Sequence, residues 1–299
     1  MSNKTTRGEI LKEISQSHET RMGLFKEIEK IIKIPIVTFY TSFNYPVSIS
    51  DVDATMMADI LSKLKLQNGF ALMINSPGGS GVSAERIIRI CRSYSGTDSY
   101  VSIVPDKAKS AATMICFGSQ EITMGVTSEL GPIDPQIIYE TDEGIKLYSA
   151  YDIVKSYEQL FNEAVGIRGH IEPFLQQLDK YDYRDINLFK RELDLSKDIA
   201  LKTLKEQMCK KLSKKQIEKN IAIFLTPEST KTHSRPIFIE EAKKCSLNIK
   251  ELKPRDKLWE LLQELHIRSN NFVNTEAAKL IESHKYHFFT PPPPKEKRG

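Results

Sequence analysis

Two short stretches hold residues whose types and spacing could do chemistry. In "INSPGGSG" (Ile74 to Gly81), an apolar run from Gly69 to Met73 ends in Ser-Pro-Gly-Gly and passes directly into a helical pattern. A strand-to-helix turn of this kind presents unpaired backbone N–H groups, which stabilise an anion or an oxyanion developing on an acyl carbon. Gly78 and Gly79 permit the close backbone approach that a side chain would block. In "VPDKAKSAATM", Ser110 sits at another strand-to-helix transition, with Ala111 and Ala112 behind it. A serine there exposes its hydroxyl as a nucleophile, and the Ala111 N–H that follows can join an oxyanion hole. Each stretch alone has a plain structural reading: the glycines close a turn, and Ser110 caps a helix. Both turns at the carboxyl edge of one parallel sheet, where α/β sites form, favour the chemical reading.

Such a sheet is legible around them. "IPIVTFYTSF" (Ile34 to Phe43) is β-branched and aromatic, and predicts a strand. "SISDVDATMMADILSKLKLQNG" opens on Ser and Asp caps and closes on glycine, the punctuation of a helix. A strand at Phe70 to Ile74, a helix in "SAERIIRICRSY", a strand at Ser99 to Pro105, the apolar helix "SAATMICFG" and a strand at Gln120 to Gly125 follow. This alternation predicts βαβ units in a buried, mainly parallel sheet, hence an α/β fold.

Residues 1–33 carry apolar positions at helical spacing and read as an N-terminal amphipathic arm ending before Pro35. The α/β core is expected over 34–148. From Ser149 to 289 the pattern is helical and charged; a long helix with no Gly or Pro is expected over about 185–225, and its lysine runs read as a solvated face. Residues 290–299, with four prolines and a charged end, read as a disordered or polyproline tail.

Composition excludes several classes. In 299 residues, 43 basic against 39 acidic side chains leave a net charge of +4, too mild to imply nucleic acid. Lys210, Lys211, Lys214, Lys215 and Lys219 cluster, but no aromatic stacking platform accompanies them. Cys91, Cys116, Cys209 and Cys245 form no CxxC pair, so neither a zinc site nor a disulfide framework follows. His284 and His287, three apart, are not read as a metal site. No apolar run reaches 18 residues and the N-terminus lacks a signal-peptide core, so a cytoplasmic protein with no membrane contact is expected. No Walker A pattern is present, so an unfolding motor would be a separate chain. No cofactor is expected.

The succession "INSPGGSGVSAERI", "KSAATMICFGSQEITMG" and "ELGPIDPQ" resembles the Clp-fold serine proteases. "AKSAATM", "SELGPIDPQI" and "THSRPIFIEEAKKCSLNI" are most similar to the serine dehydrogenase proteinase family, related to signal peptide peptidase A. The resemblance spans roughly residues 20–265. It implies a Clp/crotonase-like α/β fold with a helical C-terminal region. It also implies peptide-bond cleavage through an acyl-enzyme on Ser110, with Gly78, Gly79 and the Ala111 N–H as oxyanion hole. Peptide or protein substrates, a homo-oligomer and a possible activator or ATPase partner go with it.

The resemblance leaves two candidates for the general base. The Clp protease subunit carries a histidine where this chain reads "SELGPIDPQI", which has none. Signal peptide peptidase A and its relatives use a later lysine; Lys155, 45 residues after Ser110 and among Tyr151, Ile153, Val154 and Tyr157, matches that place. Desolvation there would lower its pKa and let it accept the serine proton, although most lysines on such helices simply snorkel. His233, in "KTHSRPI", is the rival, because the serine dehydrogenase proteinases resemble this chain there and a neutral imidazole is a competent base near pH 7. Lys107 and Lys109 flank Ser110 but neighbours along a turn usually point elsewhere; Asp134 reads as turn chemistry and Cys116 as core. Family members often show a glycine pair behind the serine, where this chain has Ala111 and Ala112. A catalytically inactive scaffold or peptide-binding module is the alternative, and crotonase-like acyl-CoA chemistry a more distant one.

Overall fold

The computed structural model describes residues 8, 10, 17–141, 144–226 and 235–294. Four strands, β1 (Ile36–Thr41), β2 (Ala71–Asn75), β3 (Val101–Val104) and β5 (Glu121–Met124), lie side by side and parallel. Their side chains alternate between two apolar layers. Val37, Phe39, Leu72, Ile74 and Val104 enter the larger core, and Ile36, Tyr40, Ala71, Met73 and Ile103 enter the smaller one on the opposite face. A strand buried on both faces has no polar side, which is why these segments read as continuous apolar runs.

The larger core is roofed by α2 (Asp51–Leu64), α3 (Gly81–Tyr94) and α4 (Ala111–Phe117), the crossover helices of the βαβ units. The other face is covered by α1 (Glu19–Ile32) and α11 (Lys257–Thr275), whose Phe25, Ile28, Leu262 and Leu265 are buried there. The apolar face of α1 is thus consumed within the chain.

Two edges of the sheet come from the C-terminal region. Strand β9 (Ile249–Glu251) pairs in parallel with β5, while β10 (Lys279–Ser283) and β11 (His287–Thr290) extend the sheet antiparallel beyond β1. The order is β11-β10-β1-β2-β3-β5-β9. The region read as helical is mainly so, but these strands correct it. Strand β10 escapes the strand pattern because its buried Glu282 is neutralised from afar: Arg21 on α1 donates to both of its oxygens at 2.7 and 2.8 Å, and His18 Nδ1 lies 2.6 Å from one of them.

The long helix expected over about 185–225 is also corrected. It divides into α7 (Tyr183–Glu206), α8 (Lys214–Asn220) and α9 (Ala222–Leu225). Lys205 Nζ folds back to donate to the carbonyls of Lys210 and Leu212 at 2.7 and 2.8 Å, and Ser213 starts α8 with a capping box closed by Gln216. Local side chains satisfy the free backbone groups and end the helix without Gly or Pro. Between the core and α7 lie the hairpin of β7 (Gln136–Thr141) and β8 (Gly144–Ser149), then α5 (Ala150–Gly166) and α6 (Glu172–Leu178). Short α10 (Ile239–Lys244) precedes β9. Among the described residues, no helix is long and apolar enough to cross a membrane. The four cysteines are buried and free.

Candidate active site

Strand β2 does not end its pairing at Asn75. Ser76 N–H donates to Lys107 O at 3.0 Å, and Lys109 N–H donates to Ser76 O at 3.1 Å. This ties the glycine turn to β4 (Lys107–Ala108), the strand that delivers Ser110. The buried Asn75 side chain adds a third tie, its Oδ1 accepting Lys107 N–H at 2.9 Å. On the far side, β4 pairs with β6 (Glu129–Leu130), and Thr113 on α4 donates to Ala108 O and approaches Gly131 O at 2.7 and 3.0 Å. The turn that carries Ser110 is therefore held on every side by backbone.

Ser110 itself sits at φ 49°, ψ −118°, half-buried between β4 and α4. A non-glycine residue there is strained by about 1–3 kcal/mol. Its N–H donates to Pro132 O at 3.1 Å and its carbonyl accepts from Met114 N–H at 3.1 Å, so both backbone groups are spent on holding the bend. The hydroxyl has no hydrogen-bond partner among the described residues.

Gly78 and Gly79 pack directly on this bend. A Cβ at Gly78 (φ +106°) would lie 2.7 Å from Lys109 O and Ser110 Cβ and 3.2 Å from Ala111 N. One at Gly79 (φ +150°) would overlap the backbone of Ile49, which receives the turn through Ile49 N–H to Gly78 O at 2.7 Å and Ser80 N–H to Ile49 O at 2.9 Å. Gly78 N–H is occupied, donating to Ser76 Oγ at 3.1 Å. The amides of Gly79 and Ala111, by contrast, have no acceptor among the described residues. Gly79 and the half-buried Ser110 line one cleft, with the Ala111 N–H next to the serine in the chain, an arrangement whose open N–H donors are able to hold the oxygen of an acyl carbon that the serine attacks.

The cleft over Ser110 encloses about 580 Å³. Its floor is the two turns, and its walls come from Val82 and Met114, from Leu195 and Glu192 on α7, and from Ile138 and Leu147 of the hairpin. Ile138 and Leu147 face each other across β7 and β8 and are 66 % and 62 % exposed. Sequence reading missed these walls and the brace residues Asn75, Ser76 and Thr113. Ser76, inside the quoted Ser-Pro-Gly-Gly run, was the one signal available.

Lys155 is not brought to this cleft. It lies exposed on α5, its Nζ 6.0 Å from the Tyr151 ring, and lines an adjoining pocket of about 300 Å³ with Asp134, Glu158 and Thr226. The two cavities share Ile133, Pro135 and Ser196. His233 lies outside the described residues; among the described residues before it, Phe224 O accepts Ile133 N–H, in the strap of residues 131–135, at 2.8 Å. Lys109 is paired with Glu129 at 2.6 Å, and Lys107 Nζ lies 5.9 Å from the Phe43 ring. Asp134 is buried in the strap, with Gln136 Nε2 donating to it at 3.3 Å. Cys116 is fully buried in the core, and that burial pushes its thiol pKa up to about 12. Among the described residues, no cluster of metal-ligating side chains exists.

Comparison with known proteins assigns the fold a family. Residues 1–274 match the family described as ClpP-like SDH-type serine proteinase, and the chain belongs to it. Two relatives from Methanocaldococcus jannaschii, the uncharacterized proteins MJ0137 and MJ1495, are 27 % identical over 60 % of this chain and 23 % identical over 85 % of it. The matched region spans 52 % of the first relative's length and 74 % of the second's. A solved structure of a serine-to-alanine mutant of the 1510-N membrane-bound stomatin-specific protease aligns over 74 % of this chain and 98 % of its own. The identity is 14 % and the TM-score 0.31.

Proposed function

We propose that this ClpP-like serine proteinase cleaves peptide bonds with Ser110 as nucleophile. The observation that carries the reading is one cleft lined by Ser110, at its strained bend, and by Gly79, with the amides of Gly79 and Ala111 both open. A base removes the Ser110 Oγ proton as Oγ bonds to the scissile carbonyl carbon, and the C=O electrons move onto oxygen between the two N–H donors. Collapse of that intermediate expels the amine, which takes the proton held by the base. Water then gives a proton to the same base and attacks the acyl-enzyme; the carboxylate product leaves and Ser110 Oγ is reprotonated. Each oxyanion donor contributes about 3–4 kcal/mol to such a step.

The base is Lys155, reaching across the shared wall of the two pockets, or His233. Neither Lys107 nor Lys109 competes, given their engagement elsewhere. The exposed apolar pair Ile138 and Leu147, with Val82, Met114 and Leu195, supports a substrate that lays apolar side chains along the cleft. Exposed Phe161, Val165 and Leu175 on α5 and α6 support assembly with further copies. A scaffold that binds peptides without cutting them is the second reading, favoured by the absence of a partner for the Ser110 hydroxyl among the described residues.

The test is hydrolysis of a peptide library by wild type, Ser110→Ala, Lys155→Ala and His233→Ala, read by mass spectrometry from pH 6 to 10. Cleavage is expected in wild type, none in Ser110→Ala, and loss in one base variant alone. Binding of the same peptides with no cleavage at any pH, in folded protein, would overturn the enzymatic reading in favour of the scaffold.

A further inference from the structure

On the α11 side of the sheet, behind the two turns, lies a second, solvent-open pocket of about 380 Å³. Its wall is one stripe of α11, Gln263, Ile267, Asn270, Asn271 and Asn274, recurring at helical spacing. Asn44, Asp106, Thr127 and His266 complete it.

Several of these groups are fixed in orientation. Ser42 Oγ donates to Asn274 Oδ1 at 2.6 Å, and Asn274 Nδ2 donates to Asn270 O at 2.7 Å. Gln263 Nε2 donates to Pro105 O at 2.9 Å. His266, 8 % exposed, meets the Tyr40 hydroxyl at 3.2 Å from its Nδ1. Burial pushes the Tyr40 phenol well above its ordinary range, so its hydroxyl stays protonated. By contrast the carboxamides of Asn44 and Asn271 have no partner among the described residues.

The donor set selects its ligand. Five carboxamides and a hydroxyl both donate and accept, and a ligand that does the same in every direction carries hydroxyls. A carboxylate, Asp106, and no lysine or arginine among the lining residues disfavour phosphates and other anions. The lining includes no Phe, Tyr or Trp ring on which a nucleobase could stack. The volume is at the small end of ligand pockets, about 300–1,000 Å³. We propose that this pocket binds a neutral polyhydroxylated compound of monosaccharide size, held by Asn44, Asn270, Asn271 and Asn274, with Asp106 accepting from its hydroxyls.

The pocket also touches the turns. Asn75 Nδ2 donates to Asn270 Oδ1 at 3.4 Å while Asn75 Oδ1 accepts from Lys107 N–H at 2.9 Å. A ligand engaging Asn270 bears on the carboxamide that joins the glycine turn to the strand carrying Ser110.

The test titrates the full chain with D-glucose, D-galactose, N-acetyl-D-glucosamine and myo-inositol by saturation-transfer NMR and calorimetry, with inorganic phosphate as the charged control. At least one neutral compound is expected to saturate at about millimolar concentration. Asn270→Ala and Asn271→Leu are expected to weaken it about tenfold or more. Asn271→Leu breaks no side-chain hydrogen bond in the fold, so it keeps the result interpretable if Asn270→Ala unfolds. No saturation by any of the four up to about 50 mM, unchanged affinity in Asn271→Leu, or preference for phosphate would overturn the proposal. The link to the turns rests on the peptidase reading and is measured separately, as the rate of Ser110 labelling by a fluorophosphonate with and without saturating ligand. Binding itself is measured in Ser110→Ala, so failure of the site and failure of the reading are distinguishable. An unchanged labelling rate under saturation would overturn the link alone.

Discussion

Replacing Gly78 with alanine would put a methyl carbon 2.7 Å from Lys109 O and from Ser110 Cβ, in a backbone conformation at φ +106° that L side chains rarely adopt. Neither neighbour is the free end of a flexible side chain: one is backbone and the other is the root of the serine whose bend is itself strained. The conformational cost is about 1–3 kcal/mol and the overlap about another 1–3 kcal/mol. Together these lower the melting temperature by about 3–10 °C for a chain of this size. Relief of the overlap must move the Ser110 turn or the Gly79 amide, so reactivity of Ser110 falls by at least the amount lost with one oxyanion donor, about 10²–10³. Gly23→Ala on α1 is the control, because a Cβ there meets nothing within 4 Å and helix propensity favours alanine by about 0.5–1 kcal/mol. Differential scanning calorimetry and fluorophosphonate labelling of both variants separate stability from reactivity. Wild-type melting and wild-type labelling in Gly78→Ala would refute the claim that this glycine is packed on the serine turn.

Ser110→Gly is expected to raise stability by about 1 kcal/mol while abolishing labelling, since glycine accepts φ 49° without strain; a lower melting temperature than wild type would contradict the bend. Glu282→Gln leaves buried Arg21 without its counter-charge and is expected to cost about 3–5 kcal/mol, whereas the pair Arg21→Met with Glu282→Leu costs less than either single change. Chemical denaturation of the three variants decides, and additive losses would count against a coupled pair. Burial pushes the thiols of Cys116 and Cys245 up to about 12 and about 11. At pH 8 neither forms a reactive thiolate, so iodoacetamide should modify them only in denaturant. The thiols' raised folded pKa values favour the native state fully below their ordinary value of 9.0. That contribution fades as pH rises through about 11–12. Rapid alkylation of the native protein at pH 8 would overturn their placement.

The central strands were legible because both faces are apolar: Ile34 to Phe43 contains β1, and Ser99 to Pro105 contains β3. The two turns were legible because only glycine, or a small residue, tolerates their backbone. β10 was not, since "KLIES" carries a glutamate whose partner lies 261 residues earlier. Long-range charge pairing leaves no local pattern. The break between α7 and α8 escaped for the opposite reason: Lys205, Ser213 and Gln216 supply it with residues common inside helices. The glycine turn named two amides, and the structure divides them, engaging Gly78 N–H with Ser76 and leaving Gly79 N–H open. The base is left open between two residues, because Lys155 lies in a neighbouring pocket and His233 outside the described residues.

The central claim is that Ser110 is an activated nucleophile. Its most direct test is incubation of the folded protein with a fluorophosphonate at pH 7 and 9, followed by peptide mapping. A single phosphonyl adduct on Ser110, absent in Ser110→Ala and slowed in Gly78→Ala, is the result expected. Folded protein that gives no adduct at either pH, or an adduct on another residue, would contradict it.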